Sequence, residues 1–224
     1  MRVLRRSDHG FTLLELMVVI TIIALLATMS MPAYSLWVTK ARMTKDVNNQ
    51  KQIITALRLF AFDNEGAFPK GEEAGSEFGT STDAFQYLIK ETDLGTEEIF
   101  YTQGNPQKTV PPNNDADLLK DENCMSYVIG MTDTSPARSP IVADEMDGPG
   151  TYGEGHPWLN QKKAIVGYVG GQVKIEKLTS GRAGATVKVG DVEDIFQPGE
   201  QDDQGKYTGG LLPPGISADK VLQP

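Results

Sequence analysis

From Leu16 to Met31 every side chain is apolar except Thr21, Thr28 and Ser30, and none is charged. With Phe11 to Leu14 ahead of it, this run is long enough to cross a bilayer as a helix of roughly twenty residues. Pro32 follows, a residue that kinks or breaks a helix because it lacks an N–H and its ring clashes with the preceding turn. Beyond it the pattern changes. Apolar residues recur at Ala33, Leu36, Trp37, Ala41, Val47, Ile53, Ile54, Leu57, Phe60 and Ala61, the spacing of a helix with one buried stripe. A helix from Phe11 to about Phe62 would be on the order of 75 to 80 Å long, so its second half must leave the membrane and dock on something else. Asp63-Asn64-Glu65-Gly66 ends it and Pro69 prevents a restart.

Further on, Ser81-Thr82-Asp83 opens a short helix before Ala84, Phe85, Leu88 and Ile89. Residues 103–123, rich in Pro, Asn and Asp, predict a long loop. Cys124 to Met131, Ile141 to Ala143, Lys163 to Val169 and Gln172 to Leu178 are β-rich and bounded by turn residues, and Gly170-Gly171 joins the last two as a hairpin. The predicted fold is α+β, a long N-terminal helix packed on a small antiparallel sheet. Its divisions are 1–10, 11–32 (apolar helix), 33–62 (amphipathic half), 63–180 (globular head) and 181–224, a Gly-, Pro- and Asp-rich stretch read as a loop-rich, partly disordered extension.

Charge sharpens this division. Arg2, Arg5 and Arg6 precede the apolar run, and Lys40, Arg42, Lys45, Lys51 and Arg58 follow it. Three arginines before a long apolar stretch place the N-terminus in the cytoplasm and send the rest across, and the stretch is too long for a removable secretory signal. From Asp63 onward 27 acidic residues face 13 basic ones, a formal charge of −14, which disfavours nucleic-acid binding. Cys124 is the sole cysteine, so no internal disulfide can form.

Glu15 is the odd residue. A carboxylate at the centre of a bilayer costs roughly 2.5 to 3.5 kcal/mol, less near an interface, and such a group usually has a partner. The precursor offers none nearby by sequence alone. Cleavage between Gly10 and Phe11 would supply one, because the new α-amino group of a staggered neighbour could meet Glu15.

The stretch Gly10-Phe11-Thr12-Leu13-Leu14-Glu15, behind a short basic leader and ahead of a long apolar helix, resembles the cleavage and methylation motif of type IV prepilins and type II secretion pseudopilins. The resemblance implies the type IV pilin fold, a prepilin peptidase that cuts after Gly10 and N-methylates Phe11, assembly directed by Glu15, and a helix that bends or melts near Pro32. It also implies self-association into a helical filament, an inner-membrane assembly platform, and minor pilins or pseudopilins as partners. The chain would begin as a single-pass inner-membrane protein with its head in the periplasm and end in a periplasmic or extracellular filament. Phe62-Asp63-Asn64-Glu65-Gly66-Ala67-Phe68-Pro69 is similar to the junction after the long helix of type II secretion major pseudopilins, and its aromatics are expected to pack the head on the helix. That similarity and the lack of a cysteine pair favour a pseudopilin, a piston for protein export, over a surface pilin for adhesion or motility. Val142-Ala143-Asp144 and His156-Pro157 match, more weakly, the end of other prepilin-like proteins, whereas Gly170-Gly171-Gln172-Val173 departs from it.

The resembling pseudopilins hold calcium in the C-terminal part of the head. Candidate ligands here are Asp144, Glu145 and Asp147, or Asp191, Glu193, Asp194, Asp202 and Asp203, though neither set has EF-hand spacing and solvated loop charge explains both. A reading from another class is a membrane-anchored periplasmic enzyme or ligand-binding domain that keeps its leader, built on His156 with Asp144, Glu145 or Asp147. No nucleophile motif accompanies those residues, so the chain is read as no enzyme. Lys40, Arg42 and Lys45 form either a solvated helix face or a contact for anionic headgroups or acidic heads.

Overall fold

A computed structural model describes residues 11–72, 75–92, 94–111, 115, 117–202 and 207–224. Helix α1 (Leu13–Asp63) is followed by α2 (Ser81–Glu91) and eight strands: β1 (Met125–Val128), β2 (Pro140–Asp144), β3 (Lys163–Tyr168), β4 (Val173–Leu178), β5 (Val187–Lys188), β6 (Gly199–Gln201), β7 (Tyr207–Gly209) and β8 (Val221–Leu222). The chain divides into two compact units, residues 1–41 and 42–224.

The first unit is the apolar part of α1. From Phe11 to Met29 its large side chains are about half exposed or more, Phe11 at 86%. No single described helix is long and apolar enough to cross a membrane, but Leu13–Met29 and Tyr34–Asp63 meet that requirement together as a bent pair. The stretch Leu13–Met29 alone is about 25 Å at 1.5 Å per residue, just short of an average hydrocarbon core. The side chain of Pro32 lies outside the described residues, as does Gly10.

In the second unit α1 docks through Ile53, Ile54, Leu57, Phe60 and Ala61, all buried, following the predicted stripe. The helix stops because Gly66 N–H and Asn64 N–H both donate to the Ala61 carbonyl (2.8 and 3.1 Å) and the Asn64 amide donates to the Phe60 carbonyl. Of the junction aromatics, Phe68 is buried but Phe62 is 84% exposed, so only the former packs the head. Helix α2 is capped one residue earlier than the sequence suggests. Thr80 Oγ1 accepts from Asp83 N–H, and the Thr80 hydroxyl donates back to the Asp83 carboxylate.

Six strands form one antiparallel sheet in the order β5-β4-β3-β2-β1-β8. The β3–β4 hairpin turns at Gly171, whose φ of +83° suits glycine, and is closed by Tyr168 N–H to the Gln172 carbonyl at 2.9 Å. Gly167 lets α1 approach the sheet, since a Cβ there would lie 2.4 Å from Ile54 Cδ1. Arg58 ties the helix to the hairpin by donating to the Val169 carbonyl at 2.7 Å.

The stretch read as a loop-rich extension is instead part of the sheet. Its strand β5 covers one edge beside β4, and its strand β8 covers the other beside β1. Ala185, Val187, Ile195, Phe196, Leu211, Leu212 and Val221 from the same stretch are all buried in the main core. A pair of two-residue strands has no period to detect, which is why the tail reads as irregular in sequence.

Candidate functional site

The start of α1 carries a local device that explains part of Glu15. Thr12 N–H and the Thr12 hydroxyl donate to Glu15 Oε2 at 2.9 and 2.8 Å, while Glu15 N–H donates to Thr12 Oγ1 at 3.2 Å. This is a reciprocal capping box, Thr-x-x-Glu. Glu15 therefore has partners within its own chain, contrary to the expectation that it lacks them. Thr12 and Glu15 stand three residues apart immediately before an apolar run, a signature legible from the sequence but overlooked. The box satisfies donors, and among the described residues Glu15 makes no ion pair. Phe11, next to it, is exposed.

A second polar cluster lies in the head under α1. Gln50 Nε2 donates to Asp144 Oδ1 at 3.1 Å and to the Ile165 carbonyl at 3.1 Å, and Ile165 N–H donates to Asp144 Oδ2 at 2.8 Å. Asp144 thus bridges the helix, its own strand β2 and strand β3. His156 Nε2 sits 2.9 Å from the Lys163 carbonyl, so the neutral ring carries its proton there, and it is 3.9 Å from Asp144 Oδ2, too far for a hydrogen bond. The ring packs on Tyr152 with centroids 4.6 Å apart. Burial lowers the His156 pKa to about 4, against the opposing effect of the Lys163 carbonyl. Burial likewise holds the Asp144 carboxyl well above its usual range, helped by the nearby Asp46 and opposed by the bonds from Ile165 and Gln50. Asp46, at 1% exposure, is pushed up to about 7 by burial, with Thr102, Lys45 and Trp158 working the other way.

A histidine that is neutral and sealed from water, beside a carboxylate to which it is not bonded, has no route to a substrate. The cluster joins helix to sheet. The structure places His156 and Asp144 side by side, 3.9 Å apart, without a hydrogen bond between them. Asp46 and Gln50 were missed, although Asp46, Asn49 and Gln50 interrupt the apolar stripe at helical spacing.

The remaining acidic candidates are dispersed. Glu145 forms a largely buried ion pair with Lys108 at 2.9 Å and accepts from the Asn105 amide, tying the 103–123 loop to the end of β2. Asp147 lies against Gly153, and its N–H bonds the Thr151 carbonyl. Glu193 pairs with Lys188 at 3.2 Å on the surface. Asp194 accepts from Phe196 N–H and the Gln197 amide. Asp191 is in the turn between Val189 and Val192, Asp202 follows β6, and Asp203 lies outside the described residues. Among the described residues no three His, Cys, Asp or Glu side chains converge on a point fit for a metal ion.

An apolar, exposed helix opened by a Thr-Glu box and continuing into an α+β head with a curled antiparallel sheet is the architecture of the type IV pilin fold. Residues 5–31 match the prokaryotic N-terminal methylation motif. The chain is 31% identical over 107 residues to the type II secretion system core protein G of Klebsiella michiganensis, covering 48% of this chain and 68% of that protein. It is 40% identical over 71 residues to fimbrial protein Q of Moraxella bovis, covering 32% of this chain and 44% of that protein. With the type IV major pilin protein PilE1 of Neisseria gonorrhoeae it shares 30% identity over 90 residues, 39% of this chain and 52% of that one. The chain thus spans about half the length of these last two relatives. No solved structure matches it. The chain belongs to the family of type IV pilins and type II secretion pseudopilins.

Proposed function

We propose that this chain is the precursor of a structural subunit of a type IV pilus-like filament, and specifically a type II secretion pseudopilin. The observation that carries the subunit reading is the exposed apolar helix from Phe11 to Met29 with a lone carboxylate, Glu15, at its start. Such a surface is stable in lipid before assembly and in a bundle of like helices afterwards. A prepilin peptidase cuts between Gly10 and Phe11 and methylates Phe11. Glu15 then meets the Phe11 amino group of a neighbour, adding the opposite charge that the capping box does not provide. The precursor sits in the inner membrane with its N-terminus in the cytoplasm and its head in the periplasm.

The pseudopilin assignment is supported by the 68% coverage of protein G, against 44% and 52% of the two pilins, and by the Asp63-Asn64-Glu65-Gly66-Ala67-Phe68-Pro69 junction. Intact-mass analysis of the native membrane and sheared-filament fractions tests processing and assembly together. The mature chain is expected to begin at N-methyl-Phe11 and to occur in filaments, whereas mature material still starting at Met1 overturns the reading. Glu15→Ala is expected to be processed normally yet to cut the filament fraction at least tenfold. Deleting the chain separates the two roles, since a pseudopilin's loss leaves secreted enzymes in the periplasm and a pilin's loss removes surface fibres.

A further inference from the structure

Helix α1 leaves one face uncovered beside the head, polar at Gln52 and Thr55 and apolar at Leu59 and Phe62. Gln52, Thr55, Leu59 and Phe62 recur at intervals of three, four and three residues, which puts them on one face. Leu59 is 52% exposed and Phe62 84% exposed. Along this line Gln52, Thr55, Ala56 and Leu59, with Thr92 and Leu94 from just beyond α2, enclose an open groove of about 350 Å³ with a mainly apolar floor. Lys51 stands at its rim. Phe62 lies about 10 Å beyond Thr55 along the helix at 1.5 Å per residue, and at 84% exposure its ring does not fill the groove of its own chain.

We propose that the groove receives Phe62 of a second copy of this chain, in a head-to-tail contact that repeats from copy to copy. Charge selects this pairing. The head carries a formal charge of −14 from Asp63 onward, so two copies repel across most of their surfaces. The helix side of the groove is an exception because it presents Lys51, although exposed Glu91 precedes Thr92 on the other side, while the ring is flanked by Asp63 and followed by Glu65, both exposed. Insertion would cover the largest exposed aromatic of the head, and a buried aromatic accounts for about 150 to 250 Å². A knob and a hole on one face could also close an antiparallel two-fold dimer, but copies that enter the membrane in one orientation cannot pair that way, and the offset of knob and hole along the helix then makes the contact heterologous and open-ended. The proposal rests on the filament reading above and gives it one named side-chain contact.

Cysteine cross-linking tests the contact, because Cys124 is buried to 1% exposure and its thiol is pushed up to about 12, leaving it silent. The full chain carrying both Phe62→Cys and Thr55→Cys is expressed in the native host and treated with a disulfide-forming oxidant, because a disulfide cannot span the roughly 10 Å between the two positions of one chain. A ladder of dimers, trimers and higher species is expected, with neither single variant giving one. Dimers alone would mean a closed two-fold contact and overturn the proposal, as would no linkage in a host whose wild-type chain forms filaments. If the wild-type chain forms none, the filament reading fails and the contact with it. Should Phe62→Cys itself prevent assembly, Thr55→Trp answers the question by plugging the groove from an exposed position. It is expected to lower sheared filaments at least tenfold without changing the melting temperature, and filaments at wild-type yield would overturn the contact.

Discussion

Asp46 illustrates how one residue can serve docking at a cost in stability. It lies on the buried face of α1, near Asp144, with its pKa pushed up from 3.8 to about 7. The folded head therefore binds a proton there that the unfolded chain gives up more readily. The stabilisation linked to that proton is complete below about pH 4 and is lost as pH rises through 7. At one pKa unit per 1.36 kcal/mol the whole effect is at most about 4 kcal/mol. Asp46→Asn removes the titration and keeps the shape. Its melting temperature should match wild type below about pH 4 and exceed it increasingly up to pH 8, with less stability lost between about pH 5 and 8. Asp144 still titrates and leaves some slope. Equal slopes in the two proteins would show that Asp46 ionises freely in the fold. His156 acts in the opposite sense in both proteins, because the unfolded ring takes up a proton near 6.5 while the buried ring stays neutral down to about 4, so its contribution falls as pH drops through this range.

At the scale of elements, the contact of α1 with β3 depends on a missing side chain. Gly167→Val would add methyl groups where even a Cβ comes 2.4 Å from Ile54 Cδ1 and 3.4 Å from Gln50 Oε1. Overpacking of that kind typically costs 1 to 3 kcal/mol, and Ile54→Val in the same chain should recover part of it. Chemical denaturation of the single and double variants measures both. Elements of this size are what the sequence revealed best. The predicted end of α1 near Phe62, the α2 start and strands β1 to β4 emerge within a few residues of their expected places, because each has enough residues to show a period or a turn signal. Strands β5 and β8 do not, with two residues each. The Gln50 to Asp144 bond was also hidden, since it joins residues 94 positions apart and no local pattern encodes which helix face meets which strand end. At the N-terminus the opposite held, and the Thr12 to Glu15 box was local and simply unread.

At the scale of the molecule, the head is closed by its own last residues. Strand β8 pairs with β1 in the register Tyr127 to Leu222 and Val128 to Val221, Ile129 N–H donates to the Lys220 carbonyl at 3.0 Å, and Ser81 N–H donates to the Gln223 carbonyl at 2.9 Å. The C-terminus thus holds the start of α2 and the edge of the sheet at once. Deleting residues 217–224 would expose the backbone edge of β1 and unbury Val221 and Leu222, at 2% and 9% exposure. Burial of two such side chains contributes about 1.5 to 3 kcal/mol each, and each lost hydrogen bond about 1 kcal/mol. A loss on the order of 5 kcal/mol is comparable with the whole stability of many domains. An uncovered edge strand also invites pairing with other chains. The truncated chain is therefore expected to lose its cooperative thermal transition or to melt far below wild type, and to be cut rapidly by protease in the head. If it instead melts with the full-length chain, the last strand is an appendage and the sheet stands without it. Assembly gives a separate readout. A head that cannot hold its fold cannot present Phe62 and its groove in fixed register, so the same deletion should abolish filaments even though Phe11, Glu15 and the apolar helix are untouched.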